Sequence, residues 1–302
     1  MAKTKLAERI GKEVFYLDGA MGTQLFARGV DTSKGGEYLN ITNPEVIRDI
    51  HMAYLNAGSD GVITNSFGAN AISLKRHGRD GQTEDINYNA AKNAREAVDK
   101  YCDENGGEKY VIGGFGPCGD FLEPLGMIKP TELLKAFEAQ AEGLMRGGVD
   151  GFIVETMTAP DEAAIAVEAA KTVGGDLPVF SSFAFDPAGG QLRTMMGADA
   201  QQVVDKIVPL GVDAFGFNCG TLAMEEYVKL AEIFTELLKD KSVLLMAEPN
   251  AGKPELVEGE AKFNLTPADF AKEAQQIKSA GAMIIGGCCG TSPEHIAALT
   301  GK

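Results

Sequence analysis

The 302-residue sequence contains no tryptophan, and it has only five cysteines and three histidines. An odd, sparse set of cysteines in a chain of this length argues against the disulfide framework of a secreted protein, so we expect reduced thiols and a cytoplasmic location. Basic residues are also few, since 28 Lys and Arg stand against 43 Asp and Glu for a net charge of −15. Such an acidic chain repels phosphate backbones, and nucleic acid is therefore not an expected partner.

Long apolar runs are missing as well. No stretch approaches the roughly 18 apolar residues that span a bilayer, and residues 1–9 carry charges without the apolar core of a signal peptide. The sequence also lacks a Walker-type phosphate loop, a Gly-x-Gly-x-x-Gly fingerprint that opens the first helix, and a Gly-x-Ser-x-Gly nucleophile elbow. We therefore expect no membrane partner and none of the chemistries that these motifs mark.

Short apolar runs alternate with amphipathic stretches along the whole chain. The apolar runs are rich in Val, Ile, Phe and Leu and predict strands over Val14–Gly19, Gly61–Phe67, Tyr110–Gly116, Gly151–Thr156, Pro178–Phe185, Ala214–Cys219, Val243–Glu248 and Met283–Gly287. The stretches between them predict helices over Pro44–Ala57, Glu84–Cys102, Thr131–Gly147, Pro160–Val173, Asp199–Leu210, Ala223–Lys239, Pro267–Ala280 and Pro293–Thr300. Near-continuous apolar strands suit a parallel sheet that is covered on both faces.

This alternation of strands and helices predicts an α/β fold, a single (β/α)₈ TIM barrel that spans residues 1–302. Gly148-Val149-Asp150, Gly211-Val212-Asp213 and the similar Gly58-Ser59-Asp60 precede three of the strands, as recurring αβ turns would. An open doubly wound sheet is the alternative for the same pattern. The looser stretches 27–40, 186–198 and 250–265 each follow a strand, on the side where barrels keep their sites.

Three cysteines stand at the ends of predicted strands. Cys219 ends the sixth strand, Cys288 and Cys289 follow the eighth, and glycines flank them. In a barrel these ends can meet, and three thiolates would hold Zn²⁺ at about 2.3 Å while leaving a fourth position open for a substrate thiol. The cation would stabilise that thiol as a nucleophilic thiolate. Three small buried side chains or a vicinal disulfide are the alternatives.

The other potential metal ligands are expected to have no part in this site. Cys118 also ends a strand and could be a fourth ligand, but the third strand lies far around the ring from the eighth, and Cys102 lies near the end of a helix. The three histidines, His51, His77 and His295, fall within or beside helices, where structural or solvent-facing roles are expected.

Two acids and a glycine-containing turn could bind an amino acid at the same end of the barrel. Asp18 or Glu155 could pair with a substrate ammonium group. The turn that contains Gly19, Ala20, Met21 and Thr23 could hold a carboxylate through its backbone N–H groups. Asn65 and Asn250 could add hydrogen bonds. Each of these residues has a structural alternative, because acids and amides also fix their own loops and glycines also form tight turns.

These segments resemble the homocysteine S-methyltransferase family, most closely the homocysteine-binding barrel of cobalamin-dependent methionine synthases. The matching segments run in family order from residue 17 to residue 295, namely 17–23, 64–69, 116–117, 154–156, 217–219, 248–254 and 286–295. The Phe-Asn-Cys segment that ends at Cys219 and the Gly-Gly-Cys-Cys-Gly-Thr segment around Cys288 are highly specific when they occur together.

The resemblance implies a zinc ion on Cys219, Cys288 and Cys289, with homocysteine sulfur as the fourth ligand. It also implies that Glu155 and the Asp18–Thr23 loop bind the amino-acid end of the substrate, with Asn65 and Asn250 nearby. The reaction would be methyl transfer to the zinc-activated thiolate, which gives methionine. The three cysteines would act in catalysis through that thiolate.

The resemblance leaves the methyl donor open, because methionine synthases continue into folate and cobalamin modules, whereas the 302 residues of this sequence end after the eighth predicted strand and its helix. A methylated corrinoid on a separate protein, or methylcobalamin, is the expected donor, since the segments 65–69 and 248–254 look methionine synthase-like. S-methylmethionine or betaine is the alternative donor, and the absence of tryptophan weakens the case for betaine.

The acceptor could be another thiol. A non-catalytic zinc- or amino-acid-binding subunit of a corrinoid system is a further alternative. An aldolase barrel would want a lysine at the end of a strand, and none of the predicted strands has one.

Overall fold

The computed structural model describes residues 3–257 and 260–302, and its main feature is an almost closed barrel of eight parallel strands. The strands of the described residues are, in chain order, β1 (Phe15–Tyr16), β2 (Gly61–Ile63), β3 (Tyr110–Phe115), β4 (Gly151–Met157), β5 (Val179–Phe183), β6 (Asp186–Ala188), β7 (Gln191–Arg193), β8 (Ala214–Asn218), β9 (Leu244–Glu248), β10 (Glu255–Val257), β11 (Glu260–Lys262) and β12 (Ile284–Ile285). The barrel order is β1-β12-β9-β8-β5-β4-β3-β2. The predicted TIM barrel is thereby confirmed, and the open doubly wound sheet is excluded.

Helices surround the barrel and return the chain to the start of each next strand. In the described residues they are α1 (Leu6–Arg9), α2 (Met21–Ala27), α3 (Leu39–Thr42), α4 (Pro44–Asn56), α5 (Ala71–Lys75), α6 (Thr83–Asn105), α7 (Pro130–Gly147), α8 (Pro160–Gly174), α9 (Ala200–Ile207), α10 (Met224–Leu238), α11 (Pro267–Ser279) and α12 (Pro293–Thr300). All the predicted helices are present. The helix predicted over Asp199–Leu210 ends earlier, at Ile207, and continues as a 3₁₀ turn over Val208–Leu210. Pro209 explains this difference, because proline disfavours a helical residue before it and cannot donate a helix hydrogen bond.

Two of the expected loops contain short antiparallel hairpins instead of irregular chain. Within residues 186–198, strand β6 pairs with β7, and within residues 250–265, strand β10 pairs with β11. Gly189 and Gly190 form the first hairpin's turn with φ values of 58° and 82°. Positive φ at both central residues is what a type I′ turn requires, and a Gly-Gly pair supplies it without strain. This turn signal was present in the sequence.

The recurring Gly-x-Asp turns fix the register between neighbouring strands. Asp213, just before β8, donates its backbone N–H to the carbonyl oxygen of Val179 at 2.8 Å, and its Oδ2 accepts the Val179 N–H at 2.9 Å. Asp150, before β4, makes the same pair of bonds with Val111 of β3, at 2.7 and 2.8 Å. Each aspartate therefore binds both the N–H and the carbonyl oxygen of one residue near the start of the neighbouring barrel strand.

The third of these turns closes the barrel between β1 and β2, the two ends of the hydrogen-bonded strand order. Asp60 donates its backbone N–H to the carbonyl oxygen of Tyr16 at 2.6 Å, and its Oδ2 accepts the Tyr16 N–H at 3.0 Å. The hydroxyl of Ser59 adds a bond to the carbonyl oxygen of Leu17. Barrel closure thus depends on a turn where the strands themselves are too short to pair.

Apolar side chains fill the barrel, and a larger apolar layer separates the strands from the helices. The interior cluster consists of Leu6, Phe15, Leu17, Tyr110, Ile112, Ile153, Phe180, Ala214, Met246 and Ile284. Leu6, from the short helix α1, enters this cluster at the end where the strands begin, and a Cβ on Gly151 would lie 2.7 Å from it. The polar residues discussed below lie at the opposite end. None of the described helices combines the length and apolar character that a bilayer-spanning helix needs.

Candidate active site

Three thiols from non-adjacent strands meet at the open end of the barrel. Cys219 follows β8 and the pair Cys288 and Cys289 follows β12, with β9 lying between them in the sheet. Their Sγ atoms, called here the three-sulfur cluster, all lie within 4.8 Å of one another, and those of Cys219 and Cys289 are 3.8 Å apart. All five cysteines of the chain are free. Two sulfurs bound at 2.3 Å to one tetrahedral ion would lie about 3.8 Å apart, so the cluster has the spacing of a thiolate metal site.

A left-handed residue turns the Cys219 thiol toward the cluster. Cys219 has a φ of 53°, a conformation that few residues other than glycine adopt. Its carbonyl oxygen accepts a hydrogen bond from the hydroxyl of Tyr227, and its N–H bonds the carbonyl oxygen of Glu248 at 3.3 Å. Gly220 follows with a φ of 80°, and a Cβ there would collide with the backbone of Phe185. The glycine after the cysteine is thus a requirement of close backbone packing as well as of the turn.

The sulfurs share protons unequally in the absence of a metal. Hydrogen bonds from the thiols of Cys219 and Cys288 lower the pKa of Cys289 to about 4. The pKa of Cys288 lies well above its usual range, because of its hydrogen bonds with Cys219 and Cys289 and because it is buried. The metal-free cluster thus resembles one thiolate solvated by neighbouring thiols. A metal cation would take the place of the protons that remain.

Three carboxylates share this end of the barrel, of which Asp18 and Glu248 are buried and Glu155 is half-buried. Asp18 follows β1, Glu155 lies in β4 and Glu248 ends β9. Burial raises the pKa of Asp18 well above its usual value, and the charge of Glu155 adds to the shift. Burial also raises the pKa of Glu155 to about 8, helped by the charge of Cys219. The pKa of Glu248 is raised well above its usual value by burial and then by the charges of Glu155 and Asp18.

These carboxylates have few partners in the protein. Asp18 Oδ2 accepts the backbone N–H of Ile63 at 3.0 Å, but Asp18 Oδ1 and Glu248 Oε2 are buried without a hydrogen-bond partner in the described part of the chain. Buried acids that lack partners are costly, and a cation that entered the site would satisfy them. The arrangement therefore fits the ammonium group of a ligand.

A cavity of about 410 Å³ brings the sulfurs and two of the acids to one space. Its described lining contains no lysine, arginine or histidine, and it includes Gly19, Ala20, Met21, Gly22, Thr23, Thr64, Asn65, Ser66, Phe67, Glu155, Thr156, Cys219, Glu248, Gly287, Cys288 and Cys289. Most of the residues predicted to bind substrate thus line the same cavity as the three-sulfur cluster. Asp18 and Asn250 are buried beside it and do not line it.

The predicted asparagines differ in how far the protein already uses them. Asn65 donates its side-chain N–H groups to the carbonyl oxygen of Gly36 at 3.0 Å and to Asn40 Oδ1 at 3.2 Å, which ties its own loop to α3 and the residues just before it. Asn250 donates to the carbonyl oxygen of Gly220 at 2.8 Å, and its Oδ1 is buried with no partner among the described residues. The loop-fixing alternative is therefore satisfied for Asn65, whereas Asn250 keeps one unused acceptor.

The turn after β1 and the turn after β12 are joined to each other. Ala20 donates its backbone N–H to Thr291 Oγ1 at 3.1 Å, so this N–H is not free for a ligand carboxylate. Gly290 donates its N–H to Thr23 Oγ1 at 3.1 Å, and Gly287 donates to the carbonyl oxygen of Asp18 at 2.9 Å. We call residues Asp18–Thr23 the first turn and residues Gly287–Thr291 the cysteine turn.

Two polar residues at this end of the barrel were not among the predicted site residues. Glu248 lines the cavity with an unpartnered oxygen. Asn218 is fully buried, and its side chain bonds both Thr156 and Ser182 and approaches Cys288 Sγ at 3.7 Å. The signal for both was available, because each is a polar residue at the end of an apolar strand that the resemblance already included.

Cys118 lies apart from the three-sulfur cluster, as expected. Its thiol contacts the carbonyl oxygen of Asp120 at 3.4 Å, and its backbone N–H donates to Glu162 at 2.7 Å. Burial raises the pKa of Cys118 to about 12, with the nearby charge of Glu162 adding to the shift. This thiol has neither the partners nor the acidity of a metal ligand.

Comparison with known proteins follows the same pattern. The family model described as homocysteine S-methyltransferase matches residues 15–302. Methionine synthases of Mycobacterium tuberculosis and Mycobacterium leprae are each 33% identical over 304 residues, covering 97% of this chain. This chain spans 25% and 24% of their lengths. Among solved structures, the metallated form of the homocysteine methyltransferase MmuM from Escherichia coli aligns with a TM-score of 0.78 and 27% identity, covering 96% of both chains. Its oxidized form gives 0.77.

Proposed function

The chain belongs to the homocysteine S-methyltransferase family, and we propose that it transfers a methyl group to the thiolate of homocysteine to give methionine. The observation that carries the proposal is the position of the three-sulfur cluster, which lines the same cavity as the half-buried Glu155 and the buried Glu248. The same cavity therefore suits both a sulfur held on a metal and an ammonium group. An amino acid with a side-chain thiol has both.

Cys219, Cys288 and Cys289 would hold a zinc ion, for which their sulfur chemistry and their spacing are suitable, since all three Sγ atoms lie within 4.8 Å of one another. When bound, zinc would supply Lewis acidity that lowers the pKa of a substrate thiol. The left-handed backbone of Cys219 and the bonds of the cysteine turn hold the ligand set in place before the metal arrives. Because zinc needs these thiols reduced, we also place the protein in the cytoplasm.

The acids would select an amino acid rather than a simple thiol. Glu155 and Glu248 line the cavity, and Asp18 lies buried next to it with one free oxygen. A ligand ammonium would supply the positive charge that the described lining lacks, which favours homocysteine over thiols without an amino group. The backbone N–H groups of the first turn other than that of Ala20 would then face the carboxylate of the ligand. Binding both ends orients the sulfur for in-line attack on the donor methyl group.

For the donor we propose a methylated corrinoid on a separate protein, or methylcobalamin. The segments that follow the barrel strands expose large apolar side chains, namely Phe26, Phe67, Phe121, Leu125, Met127, Met195 and Leu256. Large apolar side chains exposed on the segments that carry a site suit the docking of a macromolecule. A small-molecule donor, S-methylmethionine or betaine, is the alternative. It is supported by the alignment with MmuM, a homocysteine methyltransferase 96% of whose chain is covered by this one.

A donor screen tests the proposal directly. Zinc-loaded protein is incubated with L-homocysteine and, in separate reactions, a methylated corrinoid protein, methylcobalamin, S-methylmethionine or betaine, and methionine is measured by mass spectrometry. The proposal predicts methionine from at least one donor, and no 2-(methylthio)ethanol when 2-mercaptoethanol replaces homocysteine as acceptor. Tight homocysteine binding without product from any donor, including a methylated corrinoid protein, would instead identify a non-catalytic binding subunit.

A further inference from the structure

The side chain of Thr291 joins the two ends of the proposed substrate site. Its Oγ1 accepts the backbone N–H of Ala20 at 3.1 Å and donates to the carbonyl oxygen of Cys288 at 2.6 Å. Ala20 belongs to the first turn, and Cys288 belongs to the three-sulfur cluster. One hydroxyl therefore links the turn that faces the amino-acid end to the residue that faces the sulfur. Thr291 itself is fully buried and does not line the cavity.

Tyr54 of α4 reinforces the same link from outside the two turns. Its hydroxyl lies 3.0 Å from the carbonyl oxygen of Ala20 and 3.3 Å from that of Thr291, so it can donate to either. The ring and hydroxyl of Tyr54 are fully buried. The first turn and the cysteine turn are thus held by a second residue that touches neither the cavity nor the sulfurs.

The packing around this link leaves no room for the two turns to slide. A Cβ on Gly19 would lie 2.6 Å from Thr291 Oγ1 and 2.9 Å from the Tyr54 ring, and a Cβ on Gly287 would lie 2.6 Å from the Thr291 methyl group. These distances are shorter than van der Waals contact, so glycine on both sides lets the backbones close tightly around the threonine. The separation between the turns is therefore set by hydrogen bonds at close packing.

We propose that Thr291 is a specificity-determining positioning residue that fixes the distance between the first turn and the three-sulfur cluster. It thereby sets how many methylene groups an acceptor carries between its α-carbon and its thiol. This inference rests on the proposed function, because it takes the acceptor to be an amino-acid thiol. Cysteine is shorter than homocysteine by one methylene group, a difference of roughly 1 Å in reach, and displacements of that size are enough to lose productive geometry.

Thr291→Val tests the inference, because valine keeps the shape of the side chain and removes both of its hydrogen bonds. Binding of L-homocysteine and of L-cysteine to the zinc-loaded protein is measured by isothermal titration calorimetry. We expect the wild type to prefer homocysteine by about 10- to 200-fold, the range that one methylene group gives in a fitted site. Thr291→Val should reduce this preference by about tenfold, whereas Thr291→Ser, which keeps the hydroxyl, should retain it.

Thr300→Val is the matched control. Thr300 is the last residue of α12, and its hydroxyl donates to the carbonyl oxygen of Ala57 at 2.7 Å, and neither residue lines the cavity. This variant loses a hydroxyl bond of the same kind and should keep the wild-type preference for homocysteine. Metal content, measured by atomic emission, should equal that of the wild type in every variant. A preference that changes while zinc stays bound separates positioning from loss of the metal.

Tyr54→Phe provides a second variant that does not depend on the folding of Thr291→Val. It removes one hydroxyl from the same link and should reduce the preference in the same direction. An unchanged preference in both Thr291→Val and Tyr54→Phe, at full zinc content, overturns the inference and leaves the proposed function intact. A wild-type protein that binds neither thiol overturns the proposed function first, so the two failures are distinguishable.

Discussion

The side chain of Asn218 binds both the backbone N–H and the hydroxyl of Thr156. Asn218 Oδ1 accepts the Thr156 N–H at 2.7 Å, and Asn218 Nδ2 donates to Thr156 Oγ1 at 2.6 Å. Thr156 has a φ of 58°, which is an unfavourable conformation for a β-branched residue, and these two bonds hold it there. Because Glu155 precedes Thr156 and Cys219 follows Asn218, this pair of residues joins a candidate substrate-binding acid to a candidate metal ligand.

We expect Asn218→Ala to reduce both stability and ligand affinity. The change leaves three groups without their partner, the N–H and hydroxyl of Thr156 and the hydroxyl of Ser182. A loss of about 2–4 kcal/mol in the free energy of unfolding follows from several unpaired buried groups. Urea unfolding of the metal-free protein measures it, and calorimetry should show weaker homocysteine binding.

Ser182→Ala is the control for this prediction, because it removes the Ser182 bond to Asn218 and leaves Thr156 in place. It should cost about 1 kcal/mol and leave homocysteine affinity close to that of the wild type. Equal effects of the two substitutions on affinity would contradict a special role for the Asn218–Thr156 pair.

Cys288→Ala should abolish stoichiometric zinc binding, because two thiolates and a solvent molecule form a much weaker zinc site than three thiolates. Methylation of homocysteine should fall by about 10²-fold or more with whichever donor supports the wild type. Metal analysis and the donor screen check this. Cys102→Ala is the comparison, since Cys102 lies on α6 outside the three-sulfur cluster and should retain metal and activity. A zinc-free Cys288→Ala protein with full activity would be incompatible with the proposed chemistry.

Glu248→Gln should weaken homocysteine binding and stabilise the metal-free protein at alkaline pH. The pKa of Glu248 is raised in the folded state by burial and by the charges of Glu155 and Asp18, so the folded protein loses stability as pH rises above the carboxyl's unfolded value of 4.5. Glutamine does not titrate and avoids this loss. Urea unfolding should show that the free energy of unfolding of the variant, relative to that of the wild type, is higher at pH 8 than at pH 5. Glu232→Gln, at an exposed position, is the control, and its free energy of unfolding should change between pH 5 and pH 8 as that of the wild type does.

His51→Leu should remove an acid-sensitive element of the fold. Burial lowers the pKa of His51 from 6.5 to about 4, and neither ring nitrogen has a hydrogen-bond partner in the described structure. The unfolded chain therefore binds a proton below pH 6.5 that the folded chain does not, and stability falls as pH drops. Between pH 7.5 and pH 5 this costs about 2 kcal/mol. Between pH 7.5 and pH 5, the free energy of unfolding of His51→Leu should therefore fall by about 2 kcal/mol less than that of the wild type.

His77→Gln is the control for that measurement, because His77 is exposed on the segment after α5. Its pH dependence of unfolding should follow the wild type. A His51→Leu protein with the wild-type slope between pH 7.5 and pH 5 would show that the acid sensitivity arises elsewhere.

The barrel and the meeting of the three cysteines could be predicted because both follow from chain order. The strand from Ala214 and the strand before Gly286 read as apolar runs separated by amphipathic helices, and a parallel barrel brings the carboxyl ends of all strands to one side. Placing Cys219 near Cys288 and Cys289 then required no knowledge of side-chain conformations. The Gly-x-Asp turns were visible too, although their double bonds to the preceding strand were not.

The remaining features depend on which way individual side chains point, and sequence patterns do not determine this. Asn65 was equally compatible with a ligand and with its own loop, and only the positions of Gly36 and Asn40 show that its N–H groups are used there. The bond between Ala20 and Thr291 joins residues 271 positions apart. Such contacts arise from the packing of the finished barrel and leave no periodic signal in the sequence.

Leu6 closes the end of the barrel opposite the site, yet it lies outside the residues 15–302 that the family model matches. A fragment trimmed to that boundary would keep every candidate ligand and every strand. It would also expose Phe15, Tyr110 and Ile153 to water through the missing floor. Poor expression of such a fragment would then reflect the loss of Leu6 from the barrel interior, and it would carry no information about catalysis.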